Sequence, residues 1–135
     1  MAGTWPLNTS YIDGNVWAAS DVNTQNTNIN ALGNVTVNAQ TGTTYTLVLA
    51  DALKVVSCSN AAAITLTVPT NASVAFPVGT QIIVYQAGAG QVTISGAGVT
   101  FRSNGTKLKL TGQYAVASLI KIGTDEWIVA GNVSA

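Results

Sequence analysis

From Asn34 to the end of the chain, apolar and polar residues alternate with a period of two, a pattern typical of β-strands with one buried face. Gly, Pro, Asn and Asp interrupt the alternation at short intervals. This pattern predicts an all-β domain over residues 34–135, a compact β-sandwich or jelly-roll-like fold of about ten short strands. The predicted strands are NVTVNA, TTYTLVLA, LKVVSCS, AAITLTVP, TQIIVYQA, GQVTISG, VTFRS, KLKLTG, AVASLIKIG and EWIVAGNV.

Some predicted strands are apolar on both faces. In TQIIVYQA, Ile82 and Val84 alternate with Ile83 and Tyr85, and the same doubling recurs at residues 119–120 and 127–129. Such strands need cover on both sides, either from a second layer of the same subunit or from a neighbouring subunit. The dipeptide Asn104-Gly105 between VTFRS and KLKLTG additionally predicts a two-residue β-hairpin.

The segment Met1–Ala19 has no sustained period of 2 or 3.6, and it is predicted to be an extended arm preceding the β-domain. Two of the three tryptophans lie in it. Its apolar residues are either an exposed association patch or a cover for the chain's own sheet, and the sequence leaves both open. The arm residues concerned are Trp5, Leu7, Tyr11, Ile12 and Trp17.

A short helix is predicted over residues 21–32, with Ser20 as its N-cap and Gly33 as its stop. Asn and Thr dominate this segment, so helix propensity is low and packing must stabilise the helix. Val22, Ile29 and Leu32 fall on one stripe. The stripe either docks on the sheet of the same subunit or forms a seam between subunits.

Charge is scarce along the chain. Five Lys and Arg balance five Asp and Glu, so the formal net charge is zero, and only 7% of residues are charged. A basic face for a phosphate backbone is therefore missing, and we expect no nucleic-acid binding. No apolar run approaches the roughly 20 residues that span a bilayer, so we expect no membrane insertion. A surface with so little charge favours burial against protein partners.

The residues that usually carry catalysis are also scarce. The chain has no His, which excludes Ser/His/Asp and Cys/His arrangements and His-ligated metal sites. Cys58 is the single cysteine and is expected to be a buried apolar residue. Asp125 and Glu126 are adjacent in a predicted turn, and Asp51 is expected to cap or turn the chain after a strand. We therefore predict no enzymatic activity, no cofactor and no metal.

The glycine-rich run GAGQVTISGAGV is a weak match to a phosphate-binding loop. It lacks a following GK[ST] pattern, and no helix follows it. Its glycines are interpreted instead as turn positions that need a positive φ.

Several motifs together resemble a β-domain that recurs in virion proteins of tailed bacteriophages. They are YTLVLAD at residues 45–51, FPVGT at 76–80, VYQAGAGQ at 84–91 and the closing strand at Trp127. The resemblance extends over roughly residues 44–131, which is most of the chain. The segment IDGNVWAASDVNTQNTNINAL is similar, more loosely, to a leader found in phage structural proteins.

The resemblance implies a virion structural protein, made in the host bacterial cytoplasm and carried on the capsid surface. Because only about 33 residues precede the β-domain, its length favours a stand-alone capsid decoration protein, implied to be a homotrimer bound to the major capsid protein. In that reading the five arm residues anchor the protein on the capsid, and Val22, Ile29 and Leu32 contribute to the subunit interface. The alternative is a tail or fibre component that recognises the host cell surface.

Overall fold

The structure, a computed structural model, describes residues 34–135, and within them eleven strands form two sheets. The predicted all-β class is confirmed. The predicted arm and short helix, residues 1–33, lie outside the described residues. The strands are β1 (Val37–Gln40), β2 (Thr44–Thr46), β3 (Val55–Cys58), β4 (Ile64–Thr67), β5 (Gln81–Gln86), β6 (Val92–Ser95), β7 (Thr100–Arg102), β8 (Lys109–Leu110), β9 (Val116–Gly123), β10 (Glu126–Gly131) and β11 (Val133–Ser134).

The chain alternates between the two sheets over its first six strands. The six-stranded sheet has the order β1-β3-β5-β9-β10-β7, and the five-stranded sheet has the order β11-β8-β6-β4-β2. Strands β1, β3 and β5 are parallel, as are β2, β4 and β6. Parallel neighbours need a crossover connection, and here each crossover passes through the opposite sheet. We call this arrangement of β1 to β6, in which the chain alternates between two sheets of parallel strands, the parallel coil. It was not predicted, because period-two alternation does not reveal strand direction.

The hairpin predicted at Asn104-Gly105 is wrong. The chain does turn there, in a 3-10 turn over Asn104–Thr106 with Gly105 at φ 69°. However, β7 pairs with β10 in the six-stranded sheet, whereas β8 pairs with β6 and β11 in the five-stranded sheet. The dipeptide specifies a local turn and not the sheet that the next strand joins. Similarly, EWIVAGNV, predicted as one strand, contains β10 and the first residue of β11, which lie in different sheets.

The glycines of GAGQVTISGAGV have two different roles. Gly98 has φ 75°, as predicted for a turn glycine. Gly90 has no positive φ; instead, a Cβ at this position would overlap the carbonyl oxygen of Ala62 in the preceding turn of the coil. Gly90 is therefore required by the close approach of two backbones, which the parallel coil creates and which sequence spacing does not show.

One apolar core joins the inner faces of the two sheets. The six-stranded sheet contributes buried residues such as Val56, Ile82 and Leu119, and the five-stranded sheet contributes Leu66 and Ile94. Trp127 on β10 is among the largest fully buried side chains. Its indole packs edge-on against Phe76, with ring centroids 5.5 Å apart and planes at 85°. The described β-domain therefore has an apolar core that both of its sheets share.

Candidate assembly surfaces

Asp51, an acid that the sequence places after a strand, is a buried structural residue. Only 1% of it is exposed. One carboxylate oxygen accepts a hydrogen bond from Asn38 Nδ2 at 2.7 Å, and the other accepts from Tyr45 Oη at 2.8 Å and Val48 N at 2.9 Å. Since β1 and β2 are edge strands of opposite sheets, this carboxylate closes one open side of the sandwich. Burial, together with the hydrogen bond to Asp51, raises the pKa of Tyr45.

Lys121 is a second buried charged residue with a structural role. It lies on β9, and its Nζ donates to Asn71 Oδ1 and to the Phe76 carbonyl oxygen, both at 2.6 Å. Asn71 N in turn donates to Asp125 Oδ1 at 2.7 Å. These bonds hold the connection between β4 and β5 against the six-stranded sheet. Asp125 is thus engaged as a turn residue, as predicted, and Glu126 forms an ion pair with Arg102.

Cys58 is buried in the core, as predicted. Burial raises the pKa of its thiol from 9.0 to about 11. The thiolate, which is the reactive form of cysteine, is therefore scarce at neutral pH.

We expect Cys58 in the folded protein to resist alkylation by iodoacetamide at pH 8 and to react readily in denaturant. The raised pKa also means that the folded state holds its proton more tightly between pH 9 and about 11, so this group's contribution to stability decreases as pH rises through that window. Mass spectrometry of the alkylated protein measures the first effect. Labelling of folded protein as fast as that of unfolded protein would contradict it.

The residues predicted from sequence as capsid anchors and subunit contacts lie in residues 1–33, outside the described part of the chain. The surfaces that residues 34–135 present can be described directly. No group of three or more His, Cys, Asp or Glu that could hold a metal ion occurs among these residues. In the described region, no helix has the length and apolar character needed to cross a membrane.

The outward side of the six-stranded sheet is largely aliphatic, and we call it the aliphatic face. Val55 lies beside Ile83 across β3 and β5, and Ile120 lies beside Ile128 across β9 and β10. These side chains are half-buried, and they alternate along each strand with the fully buried residues of the core. The large apolar members of the face are Val37, Val55, Ile83, Tyr85, Val116, Ile120, Ile122 and Ile128.

The outward side of the five-stranded sheet is polar, and we call it the threonine face. One row runs from Thr44 through Thr65 and Thr93 to Lys109, and the next runs from Thr46 through Thr67 to Ser95. Between them, the inward residues of the same strands, such as Leu66 and Ile94, are buried. This face has the alternation expected of a sheet with one wet side. The two outer faces of one domain therefore differ in chemistry.

Exposed apolar residues also gather at the end of the domain where β1, β3 and β5 begin, which we call the apolar end. Backbone bonds place the loops side by side there: Leu53 N donates to Gln81 O at 2.8 Å, and Gly79 N donates to Lys121 O at 2.7 Å. Leu53 is 67% exposed although its φ is 61°, a region that L-residues rarely adopt. The residues of the apolar end are Val35, Val37, Val48, Leu49, Leu53, Val78 and Ile122.

A shallow cleft of about 420 Å³ lies along β10, between β7 and β11. Its charged lining residues are Arg102 and Lys107, and the remainder includes Ile128 and Val133. Among these lining residues there is no carboxylate to act as a base beside a nucleophile. We do not assign the cleft a chemical role.

A scan against protein-family models and a search of curated proteins find no match to this chain. The surfaces above are therefore interpreted from their own chemistry.

Proposed function

We propose that this chain is a bacteriophage virion structural protein that decorates the capsid, binding the outer surface of the major capsid protein as a homotrimer. The motifs at residues 45–51, 76–80 and 84–91 motivate the phage assignment through their resemblance to phage virion domains. The observation that supports a docking role is the apolar end, where exposed aliphatic side chains collect on a chain of zero net charge. Concentrated apolar surface of this kind is typical of protein contacts.

The apolar end also suggests which side of the domain faces the capsid. The chain enters the β-domain at Val35, which belongs to this end. The proposed anchors Trp5, Leu7, Tyr11, Ile12 and Trp17 precede it in sequence. The apolar end is therefore proposed to face the capsid, and the aromatic residues of the arm are proposed as the main contributors to affinity.

A decoration protein of this kind needs no catalytic group, because burial of apolar surface against the capsid is enough to bind it. Internal DNA pressure separates neighbouring capsid subunits, and a protein that bridges them opposes separation by about 25 cal/mol for each Å² of apolar area removed from water. This mechanism agrees with the structural use of Asp51, Lys121 and Asp125, whose polar groups are engaged within the domain.

We expect deletion of residues 1–19 to abolish binding to heads that lack this protein, because the deletion removes all five aromatic and aliphatic anchors. Co-sedimentation with purified heads measures the bound fraction, and circular dichroism checks that the shortened chain keeps its β-sheet signal. Undiminished occupancy by a folded truncated protein would contradict the proposal. Density or antibody label at the tail tip, and none on the head, would instead favour the tail or fibre alternative.

A matched pair of full-length variants tests the apolar end without shortening the chain. Leu53 and Tyr114 are 67% and 68% exposed, and both have a positive φ, but they lie at opposite ends of the domain. Since burying a leucine side chain contributes about 1.5–3 kcal/mol, Leu53→Glu should weaken head binding about tenfold or more. Tyr114→Glu should bind as the wild type does. Equal binding by both variants would remove the apolar end from the interface.

A further inference from the structure

We propose that the aliphatic face of the six-stranded sheet is the subunit contact of this protein, covered by the same face of other copies of the chain. The inference rests on the proposed homotrimer and identifies the surface that would hold it together. It starts from the contrast between the two outer faces, which belong to the same domain and are subject to the same demand for solubility. One is a ladder of Thr, Ser and Lys, and the other is built from Val and Ile.

Sheet propensity alone does not explain this contrast. Threonine and valine are both β-branched and both suit a strand, so threonine would serve on the aliphatic face as it does on the other. Replacing hydroxyls by methyl groups gains stability only where water is excluded. The pattern on β5, β9 and β10 therefore indicates a face that is covered in the working protein.

The charge on the aliphatic face favours a copy of the chain over a different partner. Its charged residues are Arg102 and Glu126, which lie at the β7 edge and pair with each other. Ser57, Gln81 and Ser118 are its uncharged polar members toward the centre. A charged partner would have no charges of opposite sign to pair with on this face. A second copy of the chain would present the same neutral surface, so no like-charge repulsion would oppose the contact.

The aliphatic face is large enough to form the centre of an interface between copies. Its six strands have three to eight residues each, and with strands about 4.8 Å apart and a rise of about 3.3 Å per residue the projected area is roughly 300–500 Å². This area is smaller than the about 800 Å² that a standard interface buries per partner, so the face would form the apolar centre of the contact and its rim would supply the rest. In a closed trimer each copy has two neighbours. Three aliphatic faces around a common axis would bury the centre of each face and, at the rim opposite the apolar end, Val116.

The test is the oligomeric mass of full-length protein, measured by light scattering after size exclusion over a range of concentrations. We expect a trimer for the wild type. Ile83→Lys places a charge at the centre of the aliphatic face and should shift the protein to monomers. Ile120→Ser introduces a residue that this face already accommodates at Ser118, and it should raise the dissociation concentration by at least about tenfold.

Thr65→Lys is the matched control, because Thr65 also lies on an interior strand of its sheet, flanked on the threonine face by Thr44 and Thr93. It should leave the mass unchanged. A wild-type monomer at every concentration would overturn the inference. So would folded Ile83→Lys and Ile120→Ser variants that keep the wild-type mass, a result that would move the contact elsewhere, for example to Val22, Ile29 and Leu32. A wild-type monomer would also remove the homotrimer from the proposed function, whereas head binding is measured separately and tests the decoration role by itself.

Discussion

Replacement of Trp127 by alanine is expected to lower the free energy of unfolding by about 3–5 kcal/mol. The indole is 1% exposed, lies in the shared core of the two sheets and packs edge-on against Phe76. Removing it leaves a cavity that the surrounding strands cannot fill, because their backbones are fixed by hydrogen bonds on both sides of β10. A loss of this size is a large share of the 5–15 kcal/mol that holds a typical domain folded.

Urea unfolding followed by far-ultraviolet circular dichroism measures the Trp127→Ala effect, at one fixed protein concentration because assembly contributes to apparent stability. Tyr114→Ala is the control. It also removes an aromatic ring, but Tyr114 is 68% exposed, so its change should stay within about 0.5 kcal/mol. A loss below about 1 kcal/mol for Trp127→Ala would show that the indole does not hold the core together.

Replacement of Asp51 by alanine is expected to cost about 3–5 kcal/mol. The change removes the acceptor that Asn38 Nδ2, Tyr45 Oη and Val48 N share in a half-buried site, and Asn38 Nδ2 keeps only its bond to Tyr45 Oη. A polar group that loses its partner in the folded protein costs about 1–3 kcal/mol. Because the carboxylate connects edge strands β1 and β2, the loss should be accompanied by faster amide exchange in these two strands.

Asp125→Ala provides the comparison for Asp51→Ala. It removes the same side chain, but Asp125 accepts a hydrogen bond from Asn71 N in a half-buried turn, so we expect a loss of about 1 kcal/mol. Urea unfolding of both variants, with hydrogen exchange of β1 and β2, separates the two cases. Equal losses would show that the closing network around Asp51 contributes no more than an ordinary turn.

The strands themselves could be predicted from sequence because their signal is local. Each segment predicted from period-two alternation contains a strand, and inward residues such as Ile64, Leu66, Ile82 and Val84 are buried as their spacing indicates. The residues that are apolar on both faces of β5, β9 and β10 also stood out. The sequence could not show whether a second layer of the same chain or another subunit covers these residues. Periodicity identifies which positions are apolar, but it does not identify the surface that packs against them.

The polar residues of the core were harder to predict. Nothing in the sequence marks Lys121 as buried, because its acceptors are Asn71 and the Phe76 carbonyl, far away along the chain. Asp51 was predicted to turn or cap the chain, and it does accept a bond from Val48 N. Its role in joining the two sheets depends on Asn38 and Tyr45, which only the folded topology brings to it.

The sequence by itself determined the all-β class, the positions of the strands, the single buried cysteine and the scarcity of catalytic side chains, because each depends on residue type and on spacing over a few residues. The tertiary structure alone decided the parallel coil, the separation of β7 from β8 and of β10 from β11, and the placement of Val35, Leu53, Val78 and Ile122 at one end. These features depend on which strands pair across long stretches of chain. Local alternation of apolar and polar residues does not determine strand pairing, because the same pattern is compatible with a parallel or an antiparallel neighbour.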